Sequence, residues 1–262
     1  MSLRIQHNIA AMTAHRNLVT SDNMMAQSLE RLSSGYRINK AADDAAGLAI
    51  SSQMRTDIAS LNQASRNVAE ANSQVQTIEG AYDQIGNILT RLKELATEAS
   101  SANASDNADK IQAEASQLLD EINRIGASTS GGGTYQVGSA NDSNSQITFS
   151  ATQVTTTTLG INALDLSSVS GAQSALTSVD TAVGSLSDQR GNLGAIQNRL
   201  GYAAANLSTT IENTQAAESV IRDVDMAAEM TNFTKSQILM QAGTAMLAQA
   251  NSSPQAVLSL FR

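Results

Sequence analysis

Apolar residues recur three and four positions apart over most of this chain, the spacing of helices that bury a single stripe. Ile5, Ile9 and Met12 open the pattern, and Leu18, Met25, Leu29 and Leu32 continue it. The first helix is expected to stop near Ser34, with Gly35 as the left-handed residue beyond its end. After the corner at 35–40, Asp43 or Asp44 is expected to cap a second helix, its carboxylate facing the positive helix end. That helix reads from about Ala45 to Ser100. Val75, Ile78, Tyr82, Ile85, Leu89, Leu92, Ala96 and Ala99 form a heptad seam along it, which asks for partner helices. At 1.5 Å per residue it would span roughly 80 Å. "SSANASDNAD" (100–109) reads as a turn. Ile111, Ala115, Leu118, Ile122 and Ile125 mark a third helix, closed by Gly126.

The pattern then changes. "GASTSGGGTYQVGSANDSNSQITFSATQVTTTTLG" is rich in Ser, Thr and Gly. Within it Tyr135–Val137 and Gln146–Val154 read as short strands around an Asn-Asp-Ser-Asn turn, giving a small hairpin or a loose link. Helical spacing returns after about Gly171: Val179, Val183, Leu186, Leu193, Ile196, Leu200, Leu207 and Ile211 mark a fourth helix. It contains Gly184, Gly191, Gly194 and Gly201. Each costs about 1 kcal/mol against alanine in a helix interior, a cost suited to close backbone approach. "IRDVD" (221–225) reads as a soft joint. A fifth helix carries Val224, Ala228, Thr231, Ile238, Ala242 and Ala245 in heptad register, interrupted by Lys235 and stopped by Pro254. The fold class is therefore mainly α: a long helical bundle or coiled coil formed by the N- and C-terminal halves, with a small β-hairpin region in the middle.

Composition narrows what such helices can do. Among 262 residues aromatics are only 3%, with no Trp and one Pro, so packing relies on Ala, Leu, Ile, Val and Met. The net charge of −8 argues against nucleic acid and against an anionic membrane surface. The absence of cysteine excludes disulfides, thiolate nucleophiles and Cys-type zinc sites. "MSLRIQHNIAAMTAHR" lacks a signal-peptide apolar core, and no 18-residue apolar run exists, so neither signal-peptide export nor membrane anchoring is expected.

Candidate chemistry is sparse. His7 and His15 are the only histidines, too few for a zinc site. Asp43 and Asp44 are adjacent and diverge by about 100° on a helix, which suits capping better than paired acid–base work. Asp223 and Asp225 lack the glycine and terminal glutamate of a calcium loop. Gly131–Gly133 has no phosphate-cradling context. No cofactor and no enzymatic activity are expected. The informative features are the seams. The second, third and fourth helices can satisfy one another. The two terminal helices are thin, and each residue ordered costs roughly 1–2 kcal/mol. Both ends are therefore expected to fold by packing against other copies of the chain.

"LERLSSGYRINKAADDAAGLAISSQMR" closely resembles the N-terminal signature of bacterial flagellins. So do "LTRLKELATEAS", "IQAEASQLLDEINRI", "ENTQAAESVIRDVDMAAEMTNFTKSQILMQAGTAMLAQAN" and the ending "VLSLFR". The similarity covers roughly the first 126 and the last 90 residues, as in a short flagellin with only the two inner filament domains. The resemblance implies an inner coiled-coil domain from 1–45 plus 223–262, and a helical rod domain over 46–222 with its hairpin at about 131–165. It implies a structural subunit that self-polymerises into the flagellar filament for swimming, exported through the type III flagellar channel and located outside the cell. The implied partners are other copies, an export chaperone on the C-terminal segment, junction and cap proteins at the filament ends, and a vertebrate Toll-like receptor. The receptor contact implied by the family falls on Arg91, Leu95 and Glu114. The self-assembly seams would use Ile5, Ile9, Met12, Leu29, Leu32, Val224, Ala228, Ile238, Ala242 and Ala245.

Two positions depart from the family pattern. Thr90 stands where strong receptor agonists usually carry Gln, and "GASTSGGGTYQVG" replaces the usual Thr-x-Phe-Asn-Gly-x-x-Leu-Leu-Asp-Gly segment. The second change removes the usual apolar anchor of the hairpin region. The alternative within the class is a hook–filament junction protein; outside it, a secreted helical enzyme, for which no ligand cluster speaks.

Overall fold

The computed structural model describes residues 7–101 and 107–260, the side chains of 253–260 excepted. In chain order the elements are α1 (Ile9–Ser34), α2 (Ala45–Ala99), α3 (Ala108–Gly126), β1 (Gly131–Gln136), a single 3-10 turn (Ser143–Ser145), β2 (Gln146–Ala151), α4 (Val169–Arg222) and α5 (Met226–Leu260). Contacts divide the chain into two compact units. One joins residues 1–56 to 213–262, and the other is 57–212.

In the 57–212 unit the α2 seam is real. Val75, Ile78, Tyr82, Ile85, Leu89, Leu92, Ala96 and Ala99 are all buried, and Leu61, Ala64, Val68 and Ala71 extend the stripe backward. Ile111, Ala115 and Ile122 of α3 close one side, and Ala172, Ala175, Val179, Ala182, Leu186, Leu193, Leu200 and Leu207 of α4 the other. Val183, expected inside, points out, because Ala182 completes the 3-then-4 spacing between Val179 and Leu186. Tyr82 donates its hydroxyl to the Thr152 carbonyl at 3.1 Å, which gives this buried ring a partner for its polar end. The Lys93–Asp180 and Arg190–Asp83 pairs tie the outer faces of α2 and α4.

β1 and β2 pair antiparallel, from Gly131 opposite Ala151 to Gln136 opposite Gln146. The first strand begins four residues earlier than expected and incorporates the glycine run. Gly132 takes φ 131°, and a Cβ there would meet the Phe149 carbonyl oxygen at 2.4 Å, so a residue type that usually signals a turn is the one that lets the strands approach. The second strand stops at Ala151, short of the expected Val154. Residues 152–168 form neither a strand nor a loose link. Val154, Ile161 and Leu166 are fully buried there, and Gln112 brackets the segment by donating to the Leu164 carbonyl and accepting from the Leu166 amide. The apolar anchor that seemed to be missing is thus supplied by these residues together with Ile147 and Phe149, the latter stacked on Tyr135 at 5.5 Å.

The glycines of α4 correct another expectation. A Cβ at Gly184, Gly191, Gly194 or Gly201 would find nothing within 4 Å. Among the described residues no backbone approaches them closely.

Candidate assembly surfaces

The unit formed by the two chain ends is built on the antiparallel pairing of α1 with α5. α1 starts at the cap Asn8, whose side-chain oxygen accepts from the Ala11 amide at 3.0 Å. The Asn8 Nδ2 donates to the Ala250 carbonyl at 2.8 Å. Ala250 lies four residues before Pro254, so its carbonyl is the one that the proline, having no N–H, leaves without an intrahelical donor. This explains why α5 runs to Leu260 although Pro254 was expected to stop it.

The inward positions of α1 are Ala11, Ala14, Leu18, Ser21, Met25, Ser28 and Leu32, and those of α5 are Glu229, Phe233, Ser236, Met240, Gly243, Leu247 and Ala250. The α5 phase lies two residues away from the heptad read off the sequence, and Lys235 falls outside it. Small and apolar residues occur on every side of α5, so spacing alone supports more than one phase. Leu18 seats against Gly243, where a Cβ would come within 3.0 Å of Leu18 Cδ1. The side chains wholly buried along this pairing are polar: Ser28, Glu229 and Ser236. Ser28 donates its hydroxyl to Glu229, and the Arg31 guanidinium stands 3.7 Å from the same carboxylate. Beside them lies a cavity of about 200 Å³, bordered by Met24, Gln27, Arg31, Asn232 and Leu239.

The expected corner is present and is tied to the joint. α1 ends with Gly35 at φ 75°, its amide bonded to the Arg31 carbonyl at 2.8 Å. The Arg37 amide donates to the Arg222 carbonyl at 2.7 Å and the Val224 amide to the Gly35 carbonyl at 3.0 Å, so the stretch 221–225 is clamped where a soft joint was expected. The Arg222 guanidinium covers the Tyr36 ring at 4.3 Å. The two aspartates divide the work. Asp44 caps α2 by accepting from the Gly47 amide at 2.9 Å. Asp43 accepts from the Asn39 and Lys40 amides, and the Lys40 bond first, then the Asn39 bond, holds its carboxyl below the usual range. On the other end of the joint, Asp225 accepts from the Ala227 and Ala228 amides and starts α5.

Of the residues singled out for self-assembly, Ile5 lies outside the described residues. Leu32 and Val224 are half-buried, and Ala228, Ala242 and Ala245 are exposed. Ile9, Met12, Leu29 and Ile238 are large apolar side chains left 57–61% open to solvent. Arg91 and Glu114 do meet, in a 2.8 Å ion pair that Glu94 joins from the other side at 3.0 Å. Leu95, expected beside them at a receptor contact, is only 1% exposed. It sits on the inward seam next to Leu92 and Ala96 and offers no surface.

His7 and His15 are exposed, and among the described residues no group of three His, Asp or Glu side chains is placed to hold a metal ion. No helix among them is long and apolar enough to cross a membrane.

The sequence matches the bacterial flagellin N-terminal helical region over residues 5–139 and the bacterial flagellin C-terminal helical region over 176–261. A flagellin of Halalkalibacterium halodurans is 44% identical, covering 98% of this chain and 99% of its own. A flagellin of Bacillus subtilis is 42% identical over 99% of this chain and all of its own length. A flagellar filament 30.7 kDa core protein of Treponema maltophilum is 38% identical over 98% and 99%. Paired terminal helices with open apolar faces, two matched flagellin regions and full-length relatives lead to one assignment: the chain belongs to the bacterial flagellins, structural proteins of the flagellar filament.

Proposed function

We propose that copies of this chain polymerise through the exposed faces of α1 and α5, so that these helices form the inner layer of the filament and the 57–212 unit the layer around it. One observation carries the reading. Every described apolar side chain that is fully buried falls between Ile38 and Leu207, whereas the α1–α5 pairing buries polar groups and leaves Ile9, Met12, Leu29 and Ile238 open. Burial of a Leu or Ile side chain is worth about 1.5–3 kcal/mol, so the surfaces with the most left to gain from a neighbour are those of the terminal helices. In this reading the seams at Ile5, Ile9, Met12, Leu29, Ala228, Ile238, Ala242 and Ala245 are intermolecular, Leu32 and Val224 serve contacts within the chain, and order at the ends comes with assembly. Contacts between unlike surfaces of identical subunits, repeated without closure, give a helical polymer.

The finer partners belong to the same proposal: type III export to the cell exterior, a chaperone held on the C-terminal segment until then, and junction and cap proteins at the two ends of the polymer. The Arg91–Glu114 pair is the surface offered to an innate immune receptor, without Leu95. The test is deletion of residues 226–262. The truncated chain is expected to keep the helical 57–212 unit and to form no filaments on seeding with ammonium sulfate. Filaments of normal diameter from the truncated chain would overturn the role of the terminal helices.

A further inference from the structure

The chain has nine methionines, at positions 1, 12, 24, 25, 54, 226, 230, 240 and 246. All of them fall in the unit made by the chain ends, and none in residues 57–212. The segregation is not a matter of burial, because the 57–212 core is built from Leu, Ile, Val and Ala, among which a methionine is an ordinary substitute. Nor do most of these side chains fill a core: Met12, Met24, Met226, Met230 and Met246 are 49–63% exposed on α1 and α5, while Met25 and Met240 are half-buried in their seam. The chain contains no cysteine and no tryptophan, so thioethers are its principal targets for mild oxidants.

We propose, resting on the assembly reading above, that these five exposed methionines make polymerisation sensitive to peroxide, with oxidation holding free subunits in a soluble and repairable form. In the step itself a methionine sulfur lone pair attacks one oxygen of hydrogen peroxide. An S–O bond forms and the O–O bond breaks. The departing hydroxide takes the proton from the oxygen now bound to sulfur and leaves as water; the sulfur loses two electrons and the peroxide gains them. The product is a polar sulfoxide on a face that is apolar in the reduced chain. On an isolated subunit water solvates the new oxygen at little cost, and the methionine-free 57–212 unit is untouched. Under a neighbouring copy that oxygen loses its water and gains no donor. Each covered sulfoxide is expected to raise the critical concentration for assembly roughly tenfold, equivalent to about 1.4 kcal/mol. Sulfoxide reductases reverse the change, one enzyme for each epimer.

The experiment treats free full-length chain with hydrogen peroxide and follows added oxygen by mass spectrometry, helix content by circular dichroism, and seeded polymerisation by light scattering. The expected result is retained helix content, a critical concentration raised tenfold or more, and recovery after treatment with both sulfoxide reductases and a dithiol. A variant carrying M12L, M24L, M226L, M230L and M246L is expected to assemble equally well before and after peroxide. Oxidised chain assembling at the untreated concentration overturns the proposal, as does a five-leucine variant that peroxide still blocks. Should that variant not assemble at all, recovery of the oxidised native chain by the reductases decides: recovery supports the proposal and its absence overturns it. Untreated chain that never polymerises defeats the assembly reading and this inference with it, whereas a loss of the peroxide effect alone leaves that reading standing.

Discussion

Filling the open glycine positions of α4 should raise the stability of the 57–212 unit without adding any contact. Gly184, Gly191, Gly194 and Gly201 are interior helix positions, and nothing stands within 4 Å of a Cβ built on any of them. Alanine there restricts the unfolded chain and meets no resistance in the folded one. Each replacement should contribute about 0.5–1 kcal/mol, and the four together about 2–4 kcal/mol. At about 2–4 °C per kcal/mol for a unit of this size, the melting midpoint of the quadruple variant should rise by roughly 4–16 °C. The measurement is thermal unfolding of unassembled protein at 222 nm, with single variants alongside to check that the gains add. Unchanged or lowered stability in the separate subunit would refute the reasoning, since it would mean that the space beside α4 is not open. Assembly gives the same variants a second readout. If neighbouring copies close over this side of α4, four added methyl groups should weaken polymerisation while strengthening the subunit.

Leu89 is fully buried in the α2 seam, and Leu89→Ala should cost about 2–5 kcal/mol by denaturant unfolding; a loss under 1 kcal/mol would mean the seam is not packed as described. Asn8→Ala removes both the α1 cap and the donor to the Ala250 carbonyl, so amide exchange should speed up at both ends of the α1–α5 pairing, at Ala11 and near residue 250, in assembled protein; faster exchange at Ala11 alone would show that the bond to Ala250 contributes nothing. Asp43 is held below its ordinary value of 3.8 by the Lys40 and Asn39 amides. Its contribution to the corner is therefore present above the ordinary value and lost as pH falls through the lower folded-state value. The Asn39 and Lys40 amide resonances should titrate together with a midpoint under 3.8, and a midpoint at or above it would contradict the capping geometry.

How much of this was legible depended on how much contrast each segment carries between its faces. The α2 seam could be read residue by residue, because large aliphatics alternate there with charged and amide side chains and only one phase is apolar. The Gly35 stop and the aspartate caps were legible for a related reason, since few residue types suit those backbone positions. α5 offered no such contrast. Alanine, methionine and small polar residues surround it, and only the complementary shape of α1, with Leu18 opposite Gly243 and Ser28 opposite Glu229, selects the phase. Pro254 misled because its effect on a helix depends on whether another group satisfies the carbonyl four residues earlier, and the donor, Asn8, is 242 residues away from that carbonyl in sequence. The glycine run at 131–133 lay outside the strand expected at Tyr135–Val137, since glycine is depleted in strands, yet here it forms the start of one. Leu95 was assigned by family likeness to a surface, but it lies beside the Leu92–Ala96 seam and is buried with it, although the heptad read off the sequence does not include it. The methionine segregation was visible in the sequence from the start, but it acquires a meaning only beside the exposure of those side chains.

The two units solve their packing problems differently. Residues 57–212 close an aliphatic seam within one chain, so that unit has little apolar surface to offer. The α1–α5 pairing uses its buried positions for register. A slip by one heptad would carry Glu229 from Ser28 to Ser21, an acceptable exchange taken alone, but it would also bring Ser236 in place of Gly243 against Leu18, where even a Cβ is crowded. The polar pair and the glycine notch together therefore admit one alignment that neither fixes separately. Such a seam selects an arrangement more than it stabilises one, since replacing a buried ion pair by apolar residues is often neutral or favourable. On the proposed assembly reading, further stabilisation comes from the outward faces, whose open isoleucine, leucine and methionine side chains neighbouring subunits would cover. On that reading, ends aligned by their own polar contacts and covered by apolar contacts with neighbours would order where the polymer grows.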